Sequence, residues 1–252
     1  MPPSRIVIVR HGERTDHMDR SFAKIFPRPH DPPLTPSGIE MGVRLGAYLV
    51  AAYQVDPTEV IVATSPLLRC VQTSDGVVRG LVGAGGAADA PPIYLELGLA
   101  EGAYWLFHDM QKNPDVVAPT AFHCPEPLFH SADYFKENTS KYVRTEKAFD
   151  LQADPEHYIQ ENELHEKDLH GRVKRGAAAL LADPFFEGKT VVLTAHGETT
   201  VLWYNAITGN ELSLSPAYTG FVYLLPSGAD GAFVAQNDPF TTPHLPTVPS
   251  EH

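Results

Sequence analysis

The sequence predicts an α/β fold: a mostly parallel central sheet flanked by helices, with an inserted cap over the C-terminal ends of the strands. Three observations predict it. Ile6-Val7-Ile8-Val9, Val60-Ile61-Val62-Ala63 and Thr190-Val191-Val192-Leu193-Thr194 are continuous apolar runs rich in β-branched residues, as strands buried on both faces require. Each run ends in a polar cluster: Arg10-His11-Gly12, Thr64-Ser65-Pro66 and Ala195-His196-Gly197. A helical pattern follows each cluster, which is the strand–helix alternation of a parallel sheet.

After the first strand, Ile39, Val43, Gly46, Leu49, Val50 and Tyr53 recur at helical spacing behind Thr35-Pro36-Ser37, with Ser37 and Glu40 spelling a capping box. After the second, Ser65 stands at a cap and Pro66 at the first helical position of a helix that runs to about Leu81. His165 to Leu181 reads as a third helix, with Leu169, Val173, Ala177, Leu180 and Leu181 on one face. Thr199 to Ile207 reads as a fourth, stopped near Gly209. Phe221 to Leu225 and Ala232 to Gln236, split by Pro226-Ser227-Gly228, read as a terminal hairpin at a sheet edge. Gly80 to Pro92 is a loop by its glycines and prolines. Residues 102–164 are long, aromatic-rich and punctuated by proline, and read as the cap insertion; 237–252 read as an extended tail. Together 1–252 read as a single domain.

Composition narrows the function. Of 252 residues, 43% are hydrophobic and 20% charged, an ordinary globular balance. The formal charge of −12 disfavours a general nucleic-acid or membrane-surface binder, so no nucleic acid and no membrane are expected as partners. Any bound anion must be met by a local arginine cluster. Cys70 and Cys124 make no disulfide framework, the first apolar run is too short for a signal peptide, and nothing reaches transmembrane length. The expected location is cytoplasmic.

Several motifs carry no chemistry. Gly188-Lys189-Thr190 lacks the first glycine of a phosphate-binding loop, Asp183 standing in its place, and it precedes a strand rather than following one. His165 and His170 are five apart and face different sides of a helix. His123, Cys124, Glu126 and His130 match no common metal spacing. No metal site is expected.

The strand ends are different. An open α/β sheet binds ligands beyond the C-terminal ends of its strands. There the sequence places Arg10, His11 and Arg14 after the first strand, Arg69 after the second and His196 after the third. Three guanidinium groups and two imidazoles around one point describe a site for a phosphoryl dianion. Gly197 opens a helix beside His196 and adds backbone N–H donors.

VRHGERTD (Val9 to Asp16) resembles the signature of the histidine phosphatase superfamily, which includes phosphoglycerate mutases and many phosphatases. PLTPSG (Pro33 to Gly38), TSPLLRCVQTS (Thr64 to Ser74) and TAHGETT (Thr194 to Thr200) resemble its further motifs, in order. RHGERxD, SPLLRCVQT and ELGLAEGAYW (Glu96 to Trp105) look most like the branch of suppressor-of-T-cell-receptor-signalling phosphatases and ecdysteroid-phosphate phosphatase. The resemblance implies that Glu101 matches the catalytic acid of a G-L-x-E-W segment, with Gly102 where tryptophan is expected; Glu13, Asp16 and Glu198 are the other carboxylates nearby. It further implies hydrolysis of small-molecule or phosphoprotein phosphomonoesters. His11 would attack phosphorus, Arg10, Arg14, Arg69 and His196 would hold the equatorial oxygens, and Glu101 would act as acid and then base. No cofactor is expected, because the arginines take a metal's charge-neutralising place. The competing expectations are a phosphoglycerate mutase or sugar-bisphosphate phosphatase of the same fold, and a non-catalytic phosphate-binding scaffold.

Overall fold

Ile6 and Ile8 leave strand β1 (Arg5–Arg10) on one face, Val7 and Val9 on the other, and all four are fully buried. In this computed structural model the described residues are 2–83, 90–110, 128–145, 166–227 and 231–246. Parallel neighbours explain the double burial. β1 pairs in parallel with β4 (Thr190–Ala195), β4 with β2 (Val60–Thr64), and β2 with β3 (Ile93–Leu95). On its other side β1 pairs antiparallel with β5 (Phe221–Ser227), which pairs with β6 (Ala232–Ala235) as the expected edge hairpin. The order of this six-stranded sheet is β3-β2-β4-β1-β5-β6. Strand β3 was not expected; three residues between a proline pair and Glu96 are too few to show a period.

The helices cover both faces. α3 (Pro36–Tyr53) and α4 (Leu68–Val82) pack Leu45, Leu49, Val71, Val77 and Val78 onto Val7, Val9, Val62 and Val192. α7 (Glu166–Ala182) and α8 (Gly197–Thr208) pack Leu169, Val173, Leu180 and Trp203 onto Ile6, Ile8, Val191 and Leu193. Two short helices, α1 (Thr15–Met18) and α2 (Phe22–Ile25), lie between β1 and α3. Within 102–164 the described parts hold α5 (Ala103–Met110) and α6 (Ala132–Asn138). Ala103 and Leu106 of α5 join Leu67, Leu97, Ala100 and Leu128 in a small separate core. Phe135 of α6 instead enters the core beneath the sheet, and Val143 bridges Ile93 at the sheet edge. The tail is held over 237–246: Phe240 is buried, Thr241 bridges Phe221, and the His244 ring lies against Tyr48 and Phe221.

Two caps differ from the sequence reading, the first for a local reason and the second for a tertiary one. Helix α3 starts two residues earlier than the Ser37–Glu40 box implies: Thr35 is the cap and accepts from Gly38 N–H, with Pro36 in the first turn. Helix α4 starts at Leu68, not Pro66, because the Ser65 hydroxyl is used elsewhere. The cap is supplied from outside the segment, by Asp31 Oδ1, which accepts from Leu68 N–H at 2.6 Å.

α3 and α4 cross at glycines. A Cβ on Gly46 would stand 2.1 Å from Val77 O, and one on Gly80 2.0 Å from Val43 O. The helices therefore touch backbone to backbone, which fixes α4 and the Arg69 it carries. Gly80→Ala gains about 1 kcal/mol of helix propensity. It loses about 1–3 kcal/mol or more to overpacking, since backbone cannot yield as a side chain does. We expect a net loss of stability in urea or thermal unfolding; a more stable Gly80→Ala protein would contradict this crossing.

Candidate active site

Register brings the motif residues together. Arg10 pairs with Ala195, and Thr64 with Thr194, so His11, His196 and Ser65 emerge side by side from three adjacent parallel strands. The His11 and His196 rings are 5.4 Å apart between centroids. A Cβ on Gly12 would come within 2.4 Å of Gly38 O, so the turn after His11 lies directly on the first turn of α3. Gly12 N–H is also held by Thr73 Oγ1 at 2.9 Å, tying that turn to α4.

His11 is buried, and its Nδ1 lies 2.8 Å from Gly12 O. A carbonyl only accepts, so Nδ1 carries the proton and Nε2 presents a lone pair. Burial, then Arg69, Arg10 and Arg14, holds the His11 pKa well below the usual imidazole range. His196 is fully buried and is depressed in the same way, by burial first and Arg69 second. Its Nε2 is 2.8 Å from Ser65 Oγ. With the Ser65 hydroxyl donating, His196 Nδ1 keeps a proton and faces Glu101 Oε2 at 3.6 Å.

The three arginines are held differently. Arg69 has no exposed surface; Nη1 donates to His30 O at 3.0 Å and stands 3.9 Å from Asp31 Oδ1, and Nη2 donates to Glu101 Oε2. Asp31 is itself buried, and desolvation raises its pKa to about 6 against the pull of Arg69 and Arg28. Arg14 gives Nε and Nη2 to the two oxygens of Asp16, and Nη2 also to Asp109 of α5 at 2.9 Å. Arg14 Nη1 is not engaged by these two carboxylates. Arg10 Nη1 donates to Pro216 O, and its guanidinium lies 4.5 Å above the Tyr218 ring.

Four carboxylates were in reach by sequence, and they separate cleanly. Glu13 accepts from the Thr35 hydroxyl at the start of α3. Asp16 is paired with Arg14. Glu198 accepts from Trp105 Nε1 at 2.9 Å and from the Tyr104 hydroxyl. Among the four, Glu101 is the one bonded to Arg69 and facing His196. The glycine after it has a steric reason: a Cβ on Gly102 would fall 2.6 Å from the Tyr104 ring, which fills that space.

A cleft of about 1320 Å³ opens over this group, lined by Arg10, His11, Arg14 and Glu101 at one end and by Val201 and Leu202 of α8 further along. Arg69 and His196 lie below its floor. Sequence reading missed Asp31, Asp109 and Tyr218, which touch the arginines from distant segments and carry no local signal. Among the described residues no group of three or more His, Cys, Asp and Glu is placed to hold a metal ion, and no helix is long and apolar enough to cross a membrane. His123, Cys124, Glu126 and His165 lie outside the described residues.

Residues 6–104 match the family model of the histidine phosphatase superfamily (branch 1). Among solved structures, the chain is similar to the ecdysone phosphate phosphatase of Bombix mori in complex with tungstate, at 18% identity and a TM-score of 0.67, over 98% of this chain and 96% of that one. It is similar to a mutant phosphoserine phosphatase from Entamoeba histolytica in complex with phosphoserine, at 19% identity and a TM-score of 0.51, over 96% and 98%. It is also similar to a phosphoglycerate mutase from Bacillus anthracis, at 12% identity and a TM-score of 0.51, over 94% and 93%. At such identities the likeness is one of fold. No curated protein sequence matches the chain.

The buried histidines make stability depend on pH. Their folded pKa values lie below the unfolded value of about 6.5, so the unfolded chain binds more protons once the pH falls beneath that value. Their cost is absent above it and grows as the solution is acidified. Asp31 works in the opposite direction, because its folded pKa is raised, but a His11 variant retains it. From pH 7 to pH 5, the wild type should therefore lose more melting temperature than His11→Asn. Equal losses would show that His11 titrates as an exposed imidazole.

Proposed function

We propose that this chain is a member of the histidine phosphatase superfamily (branch 1), a reading supported by its match over residues 6–104 and by its fold, and that it hydrolyses phosphomonoesters through a phosphohistidine on His11. The observation that carries the reading is the His11 ring. Its Nδ1 is tied to Gly12 O, its Nε2 is unprotonated, and its neutral form is enforced by burial and three arginines. Such a ring is a nucleophile aimed at an anion-binding centre.

The substrate dianion takes the donors of Arg10, Arg14 and Arg69 and the His196 Nδ1–H, with one phosphoryl oxygen replacing Glu101 on Arg69. The Nε2 lone pair of His11 forms the N–P bond as the bond from phosphorus to the ester oxygen breaks. Glu101, protonated in this step, gives its proton to that oxygen, and the alcohol leaves. Water then attacks phosphorus and Glu101 takes its proton. The N–P electron pair returns to His11 and inorganic phosphate departs. The phosphoryl charge is met by guanidinium and imidazole groups at every stage. This chemistry suits a small-molecule or phosphoprotein ester.

Two substitutions test the reading. Arg69→Ala should weaken competitive inhibition by vanadate by about 1.5–3 kcal/mol, the worth of a charge-assisted bond in a desolvated site. Unchanged inhibition would place Arg69 outside the anion site. Glu101→Gln should lower kcat/KM for an alkyl phosphate by on the order of 10²–10⁴, since the alkoxide needs its proton. A nitrophenyl phosphate, whose leaving group is stable as an anion, should suffer far less. Equal and slight losses on both substrates would remove Glu101 from the acid's role.

A further inference from the structure

Glu101 ends a short segment that is gripped from several sides. The turn Leu97–Leu99 is closed by Leu99 N–H on Glu96 O, and Glu96 Oε1 takes Gly98 N–H at 2.6 Å. Trp203 Nε1 of α8 donates to Gly98 O at 3.1 Å. The strongest hold comes from α7. Arg172 is only 3% exposed; its Nη1 donates to Leu97 O and its Nη2 to Ala100 O, both at 2.8 Å. A planar fork fixed at both tips sets the separation of two carbonyls and the rotation of the peptide groups that carry them. The second of these peptides is Ala100–Glu101, so the bond to Ala100 O fixes the plane from which Glu101 extends. From that plane the carboxylate reaches Arg69 Nη2 and lies 3.6 Å from His196 Nδ1.

We propose that Arg172 is a positioning residue for proton transfer by Glu101, an inference that rests on Glu101 being the general acid. Arg172 lies outside the group that lines the cleft and acts through the backbone. Its effect falls on the step that depends on where Glu101 stands, and spares the anion site built by Arg10, Arg14 and Arg69. Displacing a reacting group by about 1 Å costs roughly 10²-fold in rate. Losing Arg172 therefore costs up to that factor where a proton must be delivered, and little where it need not be.

The test compares wild type, Arg172→Met, Arg172→Lys, Glu101→Gln and the double variant Arg172→Met/Glu101→Gln. Values of kcat/KM are measured on an alkyl phosphate and on a nitrophenyl phosphate, with the vanadate inhibition constant and thermal melts alongside. Arg172→Met should lose about 10²-fold on the alkyl ester. It should lose no more than a few-fold on the nitrophenyl ester, with vanadate inhibition nearly unchanged. Arg172→Lys, which keeps one charged donor in reach of the carbonyls, should recover part of the loss. In the Glu101→Gln background, Arg172→Met should add no further selectivity. If Arg172→Met does not fold, Arg172→Lys alone must show the same selectivity in smaller degree. Should Glu101→Gln be selective for the alkyl ester while every folded Arg172 variant slows both esters equally, or neither, the positioning role is overturned and the acid assignment stands. Should Glu101→Gln itself show no selectivity, the acid assignment falls, and the inference with it.

Discussion

Arg69 carries a positive charge with no exposed surface, and the rest of the site is arranged around that charge. A guanidinium out of water must be paired or hydrogen-bonded, or the fold loses several kcal/mol. The partners come from two separate segments: the His30 carbonyl and Asp31 from the loop before α3, and Glu101 from the turn after β3. Asp31 does two things at once, facing Arg69 and capping α4 through Leu68 N–H. The glycine-lined crossing of α3 and α4 then fixes the helix that holds the charge. Arg69 thus ties together the helix pair under the sheet and the carboxylate above it.

The same charge adds to burial in keeping both histidines neutral. Arg69 is the largest electrostatic contribution, after burial, to the lowered pKa of His11 and of His196. A neutral imidazole surrounded by guanidinium groups keeps the lone pair that an imidazolium lacks. In a chain of net charge −12, this small cationic centre is a local departure from the overall charge, and its field acts at short range. Glu101 sits on Arg69 with its carboxylate facing His196, where the proposed chemistry needs an acid–base group. Its exact stance is set from behind by α7 and α8, through Arg172 and Trp203.

Much of the frame was legible because burial on both faces leaves a signature. β1, β2 and β4 are the three continuous apolar runs, and the residues closing them meet because parallel register sets their ends level. The terminal hairpin was legible from its turn residues. β3 was not, since a three-residue strand has no period to read. The cap of α4 was misread for a different reason: Ser65 and Pro66 look like a helix start, but His196 takes the Ser65 hydroxyl and Asp31 does the capping from 37 residues away. The candidate site divides in the same way. Residues just after strand ends, such as His11 and His196, stand in local motifs. Those that hold the arginines and the Glu101 segment, such as Asp31, Asp109, Tyr218 and Arg172, are defined only by contacts across the fold.

In the proposed reaction, a nucleophilic His11 becomes covalently phosphorylated during turnover. The most direct measurement mixes the protein with a nitrophenyl phosphate, quenches within milliseconds in alkali and maps the phosphate by peptide mass spectrometry. Alkali preserves phosphohistidine, and acid releases it. One alkali-stable, acid-labile phosphate is expected on His11, formed and consumed at rates that match turnover. Phosphate on a serine or aspartate, or undiminished turnover by His11→Ala, would contradict it.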